Sequence, residues 1–383
     1  MGKTAETSAQ APSSPPAASA SSPTSAPLPT SAASPTPAPE TSDAAGAGVA
    51  EAGILPASHW EPLPQAQVLE DSDSAYSGRV NSTASITSSI LQYRTHLGRR
   101  YHSEIGMAEG WTPNDDQHQE SMDLHHHFST LLLDGKMFLA PLDTEKISKV
   151  LDVGTGTGIW AMDFGDEYPH IEVIGTDISP IQPSWVPPNV RFELDDANLD
   201  WTWEDNTFDY VHVRSMLGTI ADWQKFYREA FRCCKPGGWM EHQDEAAMWR
   251  AENREIPETS AMGQWEKVFD EGGRKFGRTF RVLQDNIQKK CMEEAGFVDI
   301  VVKDFKCPVG EWPRDPKQRQ IGMYAQYSLL ADLEGYVNYI WGAVMGWSPV
   351  EIGVYTAHIR HEIKNAGLHT YYPHRVVYGR KPE

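Results

Sequence analysis

Short β-rich runs alternate with helical or loop segments, a glycine-rich turn sits directly between a strand and a helix, and an aspartate closes the next strand. Together these predict an α/β protein with a mostly parallel sheet, because strands alternating with helices build right-handed βαβ units. The β-rich runs are residues 149–152, 171–177, 190–195, 208–214 and 238–243.

The remaining elements follow in chain order. Of the first forty residues, 33 are Ala, Ser, Pro or Thr, and the first aromatic residue is Trp60. Such a segment cannot bury enough apolar area to offset the entropy of ordering it, so residues 1–73 read as a disordered tail. Ile86, Ile90, Tyr93 and Leu97 recur at spacings of three and four, which predicts a helix over 86–100. A second helix is expected over 115–133, and the two form an N-terminal helical lid over about 80–140. The clearest helix is 222–234, with Trp223, Phe226, Tyr227, Ala230, Phe231 and Cys234 on one face. Lys235-Pro236-Gly237-Gly238 ends it, since proline cannot continue a helix and glycine accepts a left-handed cap. A helix over 283–295 closes at Gly296 and a strand follows at 300–305. Helices are then expected over 318–345 and 349–366, the latter opened by the capping box Ser348-Pro349-Val350-Glu351 and stopped by Gly367. A last strand over 368–378 completes a domain of residues 147–383 with a helical insertion over about 317–366.

Composition excludes several classes. The 383 residues carry 33 basic and 53 acidic side chains, a formal charge of −20, which argues against direct nucleic-acid binding through phosphate contacts. Cys233, Cys234, Cys291 and Cys307 form no C-x-x-C pair, so neither a disulfide framework nor a zinc knuckle is expected. The N-terminus lacks an apolar signal core, and the greasiest long stretch, 328–346, contains Asp332 and Glu334, so no membrane span is expected. The chain reads as intracellular and soluble, nuclear or cytoplasmic; Arg99-Arg100 and Lys289-Lys290 are too short to count as nuclear signals. His125-His126-His127 is not a metal site, because adjacent helical residues point about 100° apart.

The chemistry centres on Val150-Leu-Asp-Val-Gly-Thr-Gly-Thr-Gly158. Gly154, Gly156 and Gly158 let the backbone turn sharply and approach a ligand, and the helix they open offers unpaired N–H donors. Ile159 stands where the dinucleotide fingerprint needs its third glycine, and no Gly-Lys-Ser/Thr of a P-loop is present. The turn alone leaves S-adenosylmethionine and NAD both open. Asp177 ends the next strand nineteen residues after Gly158, where a carboxylate accepts ribose hydroxyls. The third strand ends in Leu194-Asp195-Asp196-Ala197, where an acid meets an adenine amino group.

These residues resemble class I S-adenosylmethionine-dependent methyltransferases, and within them the fungal LaeA-like family. The resemblance rests on 151–160, on Asp177-Ile-Ser-Pro-Ile-Gln-Pro-Ser-Trp-Val-Pro-Pro188, on Phe208-Asp-Tyr-Val-His-Val-Arg214, on Gly218-Thr-Ile-Ala-Asp-Trp223 and on Lys235-Pro-Gly-Gly-Trp-Met-Glu241. It extends upstream to Gly98-Arg-Arg-Tyr-His102 and Asp123-Leu-His-His-His127, covers residues 94–245 well, and covers the C-terminal third loosely. It implies a Rossmann-like, seven-stranded sheet. It also implies that Asp152, Gly154, Thr155, Gly156 and Gly158 cradle the methionine part of S-adenosyl-L-methionine. Asp177 and Ile178 would hold the ribose, Asp195, Asp196 and Ala197 the adenine, with Tyr101 and His102 in the lid. Cys233-Cys234 and Asn198 depart from the usual pattern without removing a group the cofactor needs.

The sulfonium already activates the methyl group, so alignment supplies much of the catalysis, and a base is needed only for a protonated nucleophile. His212, Arg214, Glu241, His242 and Asp244 are the candidates, and strand register decides which of them face the crevice. The absence of Asn-Pro-Pro-Tyr after the fourth strand and of a Pro-Cys nucleophile weighs against nucleobase methylation. A small molecule or a protein is the expected methyl acceptor; the 13 tryptophans, Trp201, Trp203 and Trp249 included, read mostly as core and loop anchors, with one or two as candidates for its pocket. LaeA-like proteins are associated with control of fungal secondary metabolism through nuclear complexes with velvet-type proteins, so the resemblance implies a regulatory role with such partners. A tailoring methyltransferase of a biosynthetic pathway and a cofactor-binding, non-catalytic regulatory subunit are the rival readings.

Overall fold

The computed structural model describes residues 53–63, 93–102 and 110–383. Residues 1–52 and 64–73 of the expected tail lie outside these segments. Residues 53–63 do not behave as a tail. Ile54 and Trp60 are buried, Leu55 N–H donates to Gln264 Oε1 at 2.7 Å, and Trp60 meets the Tyr355 ring edge-on at 5.2 Å. Two apolar anchors suffice to seat so short a segment.

The expected 86–100 helix is also corrected. Its first residues, 86–92, are outside the described segments, and the rest is a hairpin of β1 (Arg94–His96) and β2 (Arg99–Tyr101). Leu97 and Gly98 both adopt positive φ, 49° and 77°, which turns the chain back at a point where the helical stripe would have continued. The expected N-terminal helical segment is therefore this hairpin plus α1 (Asp116–Leu132), which Asp115 caps through the His118 N–H.

From residue 149 the expected alternation is present. β3 (Lys149–Val153) leads through the glycine turn into α2 (Ile159–Glu167), β4 (Glu172–Asp177) and β5 (Val190–Leu194). β6 (Phe208–Arg214), α3 (Trp223–Cys233), β7 (Cys234–Glu245) and the two-residue β8 (Arg250–Ala251) follow. α4 (Ala261–Phe276), α5 (Ile287–Ala295) and β9 (Val298–Pro308) lead to α6 (Pro316–Ala331). A short α7 (Leu333–Val337), a π-helical turn (Asn338–Val344), α8 (Pro349–Ile363) and β10 (Thr370–Arg380) complete the chain.

The main sheet runs β5-β4-β3-β6-β7-β10, with β9 and the short β8 both pairing β10. β3 to β7 are parallel, and β10 is antiparallel to its neighbours. Seven long strands thus form a Rossmann-like sheet whose order reverses beside β3, the position where open α/β sheets place their ligands. Alternation along the strands builds a core on each face: Val150, Val173 and Val376 join Trp160 and Phe164, whereas Leu151, Ile174 and Val377 join Phe226 and Trp341.

Two helical readings change. The expected 318–345 helix breaks at Asp332, which caps α7 through Gly335 N–H and receives the Arg99 guanidinium and His118 Nδ1. α4 was not expected, because Gly263, Gly272 and Gly273 dilute its apolar pattern; Gly272 packs where a Cβ would lie 2.4 Å from Ile340 Cγ2.

Candidate functional site

The ends of β3, β4, β5 and β6 open onto two adjoining cavities. Both are bordered by Trp111, Thr112, Met122, Gly154, Ser215 and Thr219. The smaller, about 150 Å³, is lined by Gly156, Asp177, Ile178, Asp195, Asp196 and Ala197, together with Asn114 and Ser179. The larger, about 210 Å³, begins at Asp152, Thr155, His212 and Arg214 and runs to Glu245, Trp249, Trp265, Phe269, Tyr336 and Tyr372.

Local chemistry explains the smaller cavity. Gly154, Gly156 and Gly158 all have positive φ, 70°, 59° and 81°, which other residues adopt only with strain. The Asp177 carboxylate accepts from Gly156 N–H at 2.9 Å and from Ser179 N–H at 2.8 Å, which ties the glycine turn to the end of β4. Burial pushes this carboxyl up to about 6, against the pull of those N–H groups. Asp196 accepts from Asn198 N–H at 2.9 Å through Oδ1, while its Oδ2 is buried with no hydrogen-bond partner. Asp195 turns its carboxylate to the Asp196 N–H, and burial raises its pKa. An unpartnered buried acid, a second acid at the neighbouring strand end and a side-chain-free turn fit a nucleoside-bearing cofactor.

The larger cavity has a polar end and an aromatic end. Register places Asp152 beside His212, and its carboxylate accepts from His212 Nδ1 at 2.7 Å and from the Thr155 hydroxyl at 2.6 Å. Burial lowers the His212 pKa, opposed by that Asp152 bond, and the ring stacks on Trp160 at 3.7 Å. Arg214 donates to His126 Nδ1 at 3.1 Å, and His126 Nε2 bonds Asp163 at 2.9 Å. Glu245 accepts from the Ser215 hydroxyl at 3.2 Å and lies 3.8 Å from His125 Nε2. Burial and the adjoining Asp244 raise its carboxyl well above the ordinary range.

The structure separates the catalytic candidates. His212 and Arg214 line the larger cavity, while Glu241 and His242 line neither. Glu241 is buried against the chain after α1, where it accepts from Leu139 and Ala140 N–H at 2.7 and 2.6 Å. His242 projects to the other face of β7, bonding Tyr227 at 2.7 Å and Asp244 at 3.1 Å, with its ring stacked near Trp223. Both are corrected to structural groups, and Asp244 lies in neither lining. Tyr101 is likewise not at either cavity: its ring is buried against His96 and Tyr339, and its backbone bridges Pro113, steadying the strip that carries Trp111 and Thr112. Gly158 lies behind the lining as the first residue before α2.

Sequence reasoning missed Glu245 and did not single out any residue of the aromatic wall. Glu245 shares the Glu241 face of β7 but lies at the strand's end, where the cavity opens. Trp265, Phe269, Tyr336 and Tyr372 come from α4, α7 and β10, and their helical or alternating spacing reads as ordinary core. The three adjacent histidines diverge: His125 faces the cavity, His126 bridges Arg214 and Asp163, and His127 meets the Tyr324 ring. Among the described residues, no group of three or more His, Cys, Asp or Glu is placed to hold a metal ion, and no helix is long and apolar enough to cross a membrane.

The strand order and the site at its reversal define a class I S-adenosylmethionine-dependent methyltransferase. Residues 124–301 match a family model described as a methyltransferase domain. Methyltransferase pytC of Aspergillus terreus is 35% identical over 320 residues, 83% of this chain and 97% of that protein. Secondary metabolism regulator LAE1 of Cochliobolus heterostrophus is 30% identical over 298 residues, 75% of this chain and 94% of its own. Probable methyltransferase tdiE of Emericella nidulans is 30% identical over 269 residues, 70% of this chain and 83% of its own. The chain belongs to the fungal LaeA-like methyltransferase family, and its cofactor is S-adenosyl-L-methionine.

Proposed function

We propose that the protein methylates a small, largely apolar molecule held in the larger cavity. The observation that carries this reading is the shared border of the two cavities, which joins a nucleoside-type site to a chamber walled by Trp249, Trp265, Phe269, Tyr336 and Tyr372. Apolar walls with a few convergent polar groups suit a small-molecule ligand. Asp177 would take the ribose hydroxyls, Asp196 and Ala197 the adenine, and the glycine turn the methionine part. The cofactor supplies an activated methyl group. The chain's own residues orient the acceptor, exclude water and, for a hydroxyl acceptor, receive its proton; His125, a neutral imidazole on the cavity wall, is the group placed to do so.

A regulatory reading is supported by the 30% identity to secondary metabolism regulator LAE1 across most of that protein; velvet-type partners and a nuclear location enter that reading only through the family resemblance. Calorimetric titration with S-adenosylmethionine, with Gly156→Asp as control, tests the cofactor site. The acceptor chamber is tested by whether planar apolar hydroxyl compounds quench the tryptophan emission of the cofactor-loaded protein. Binding of the cofactor with no response to any such compound favours the regulatory reading.

A further inference from the structure

We propose that the methyl acceptor is a flat aromatic molecule with two neutral hydrogen-bond donors, hydroxyls in the simplest case, and that His118 holds the second of them, two turns of α1 before His125. The inference rests on the small-molecule reading above and adds His118, which neither the family resemblance nor the proton-accepting step uses.

His118, Met122 and His125 recur at spacings of four and three, which puts them on one face of α1, and all three line the larger cavity. Met122 also borders the smaller cavity, so the junction that a methyl group must cross lies between the two imidazoles along the helix. Seven residues separate the two histidines, which sets their Cα atoms about 10 Å apart. A two-ring aromatic compound with a polar group at each end matches that span.

His118 is fixed from behind. Its Nδ1 lies 2.7 Å from Asp332 Oδ2, and the same carboxylate receives the Arg99 guanidinium and the Gly335 N–H. A carboxylate engaged in this way accepts, so the ring proton sits on Nδ1 and Nε2 carries a lone pair. Asp332 does not line the cavity, so the ring edge that does is the one turned away from it, which carries Nε2. No described residue bonds that nitrogen, although the His118 side chain is only 5% exposed.

The polar groups beside it are already spent. The Tyr336 ring meets His118 edge-on at 5.4 Å, but its hydroxyl bonds Ser121 at 2.9 Å, and the Ser328 hydroxyl donates to the Ser121 carbonyl at 2.8 Å. A buried ring nitrogen of this kind favours a ligand that brings a donor over one that brings carbon. Arg99 already balances the Asp332 charge, so a cation meets no unmatched carboxylate here and a neutral donor suffices. The stretch of wall formed by Trp265 and Phe269, whose rings lie 5.1 Å apart, is aromatic and suits a flat ring system.

Calorimetric titration of the full chain loaded with S-adenosylhomocysteine tests the assignment. The probes are 2,6-dihydroxynaphthalene, 2-naphthol and 6-methoxy-2-naphthol, the last of which keeps the second oxygen without its proton. The diol should bind about 10-fold or more tighter than either of the others. His118→Phe keeps a ring against Tyr336; it should bring the diol down to 2-naphthol and leave 2-naphthol within about 2-fold. His118→Gln, whose amide offers a donor to Asp332 and an oxygen to the ligand, should hold part of the difference. A diol affinity that does not change in His118→Phe overturns the proposal. Equal weakening of all three probes in that variant also overturns it, as a structural effect. If the unaltered protein binds the diol and 2-naphthol equally, the second contact fails and the small-molecule reading stands. If S-adenosylhomocysteine binds and none of the three probes does, both fail together.

Discussion

The Asp152 carboxylate on β3 and the His212 imidazole on β6 stand opposite each other in register and 2.7 Å apart, both buried beside the glycine turn. The second oxygen of Asp152 holds the Thr155 hydroxyl at 2.6 Å, so one carboxylate sets both the imidazole tautomer and the start of the turn. Asp152→Ala strands two buried donors at once. It should lower unfolding free energy by about 1–3 kcal/mol, measured by denaturant titration at neutral pH.

Asp177 links the turn to the end of β4, and its carboxyl titrates at about 6. Ionised, it is the better acceptor for two hydroxyls, so affinity for S-adenosylhomocysteine should fall as pH drops through about 6. Asp177→Ala should weaken binding by about 1.5–3 kcal/mol, the scale of hydrogen bonds to a charged group. A pH-independent dissociation constant, or an unaltered one in the variant, would show that the ribose lies elsewhere.

The stability of the fold should fall as pH rises from about 6.5 to about 7.5. Burial raises Glu241 to about 7 and also raises Asp244 and Glu245, so across this window the folded chain holds protons that the unfolded chain has released. Buried His242 and His374, both lowered to about 3, and the lowered His102, His125, His126 and His212 act in the opposite direction, an effect that fades as pH rises above the ordinary histidine pKa and the unfolded chain releases their protons. Scanning calorimetry should record a lower Tm at pH 7.5 than at pH 6.5, with a smaller drop in Glu241→Gln.

Arg99 on β2 bonds both Asp115, the cap of α1, and the fully buried Asp332 at the break between α6 and α7. It thereby ties the β1–β2 hairpin to the junction of α6 and α7. Arg99→Ala leaves Asp332 with only part of its compensation and should cost about 3–5 kcal/mol, the range for breaking one partner from a buried ion pair. A melt within a degree of the parent would contradict this.

Trp60 packs edge-on against Tyr355 and caps the outer side of α8. Trp60→Ala should destabilise by about 3 kcal/mol, read as a lowered denaturation midpoint. If the midpoint does not move, the 53–63 segment contributes nothing to the body of the protein.

Much of the nucleoside end is legible in the linear chain because its determinants are local. Gly154, Gly156 and Gly158 are close in sequence, and Asp177 and Asp196 each mark the end of a strand that the alternation of β-rich and helical segments reveals. The capping box at Ser348 and Glu351 is local in the same sense, and so is the end of α3 just before Pro236, although the chain leaves that helix through extended backbone at Cys234 and not through a left-handed glycine cap. The hairpin at Leu97-Gly98 was masked because Ile86, Ile90, Tyr93 and Leu97 spell a helical period, while the deciding feature is a pair of positive φ angles.

By itself, then, the sequence determined the alternating α/β order, the glycine turn and the acids at the strand ends, since each follows from backbone preference or side-chain period within a few residues. Only the tertiary structure decided that Glu245 rather than Glu241 reaches the cavity, that Tyr101 turns inward, and that His212 and Arg214 meet Asp152 and His126. It also brought Trp249, Trp265, Phe269, Tyr336 and Tyr372 to one wall. The physical reason is that a strand's two faces exchange roles with each residue, and that contacts between distant elements depend on sheet register and helix placement, which no short window of sequence encodes.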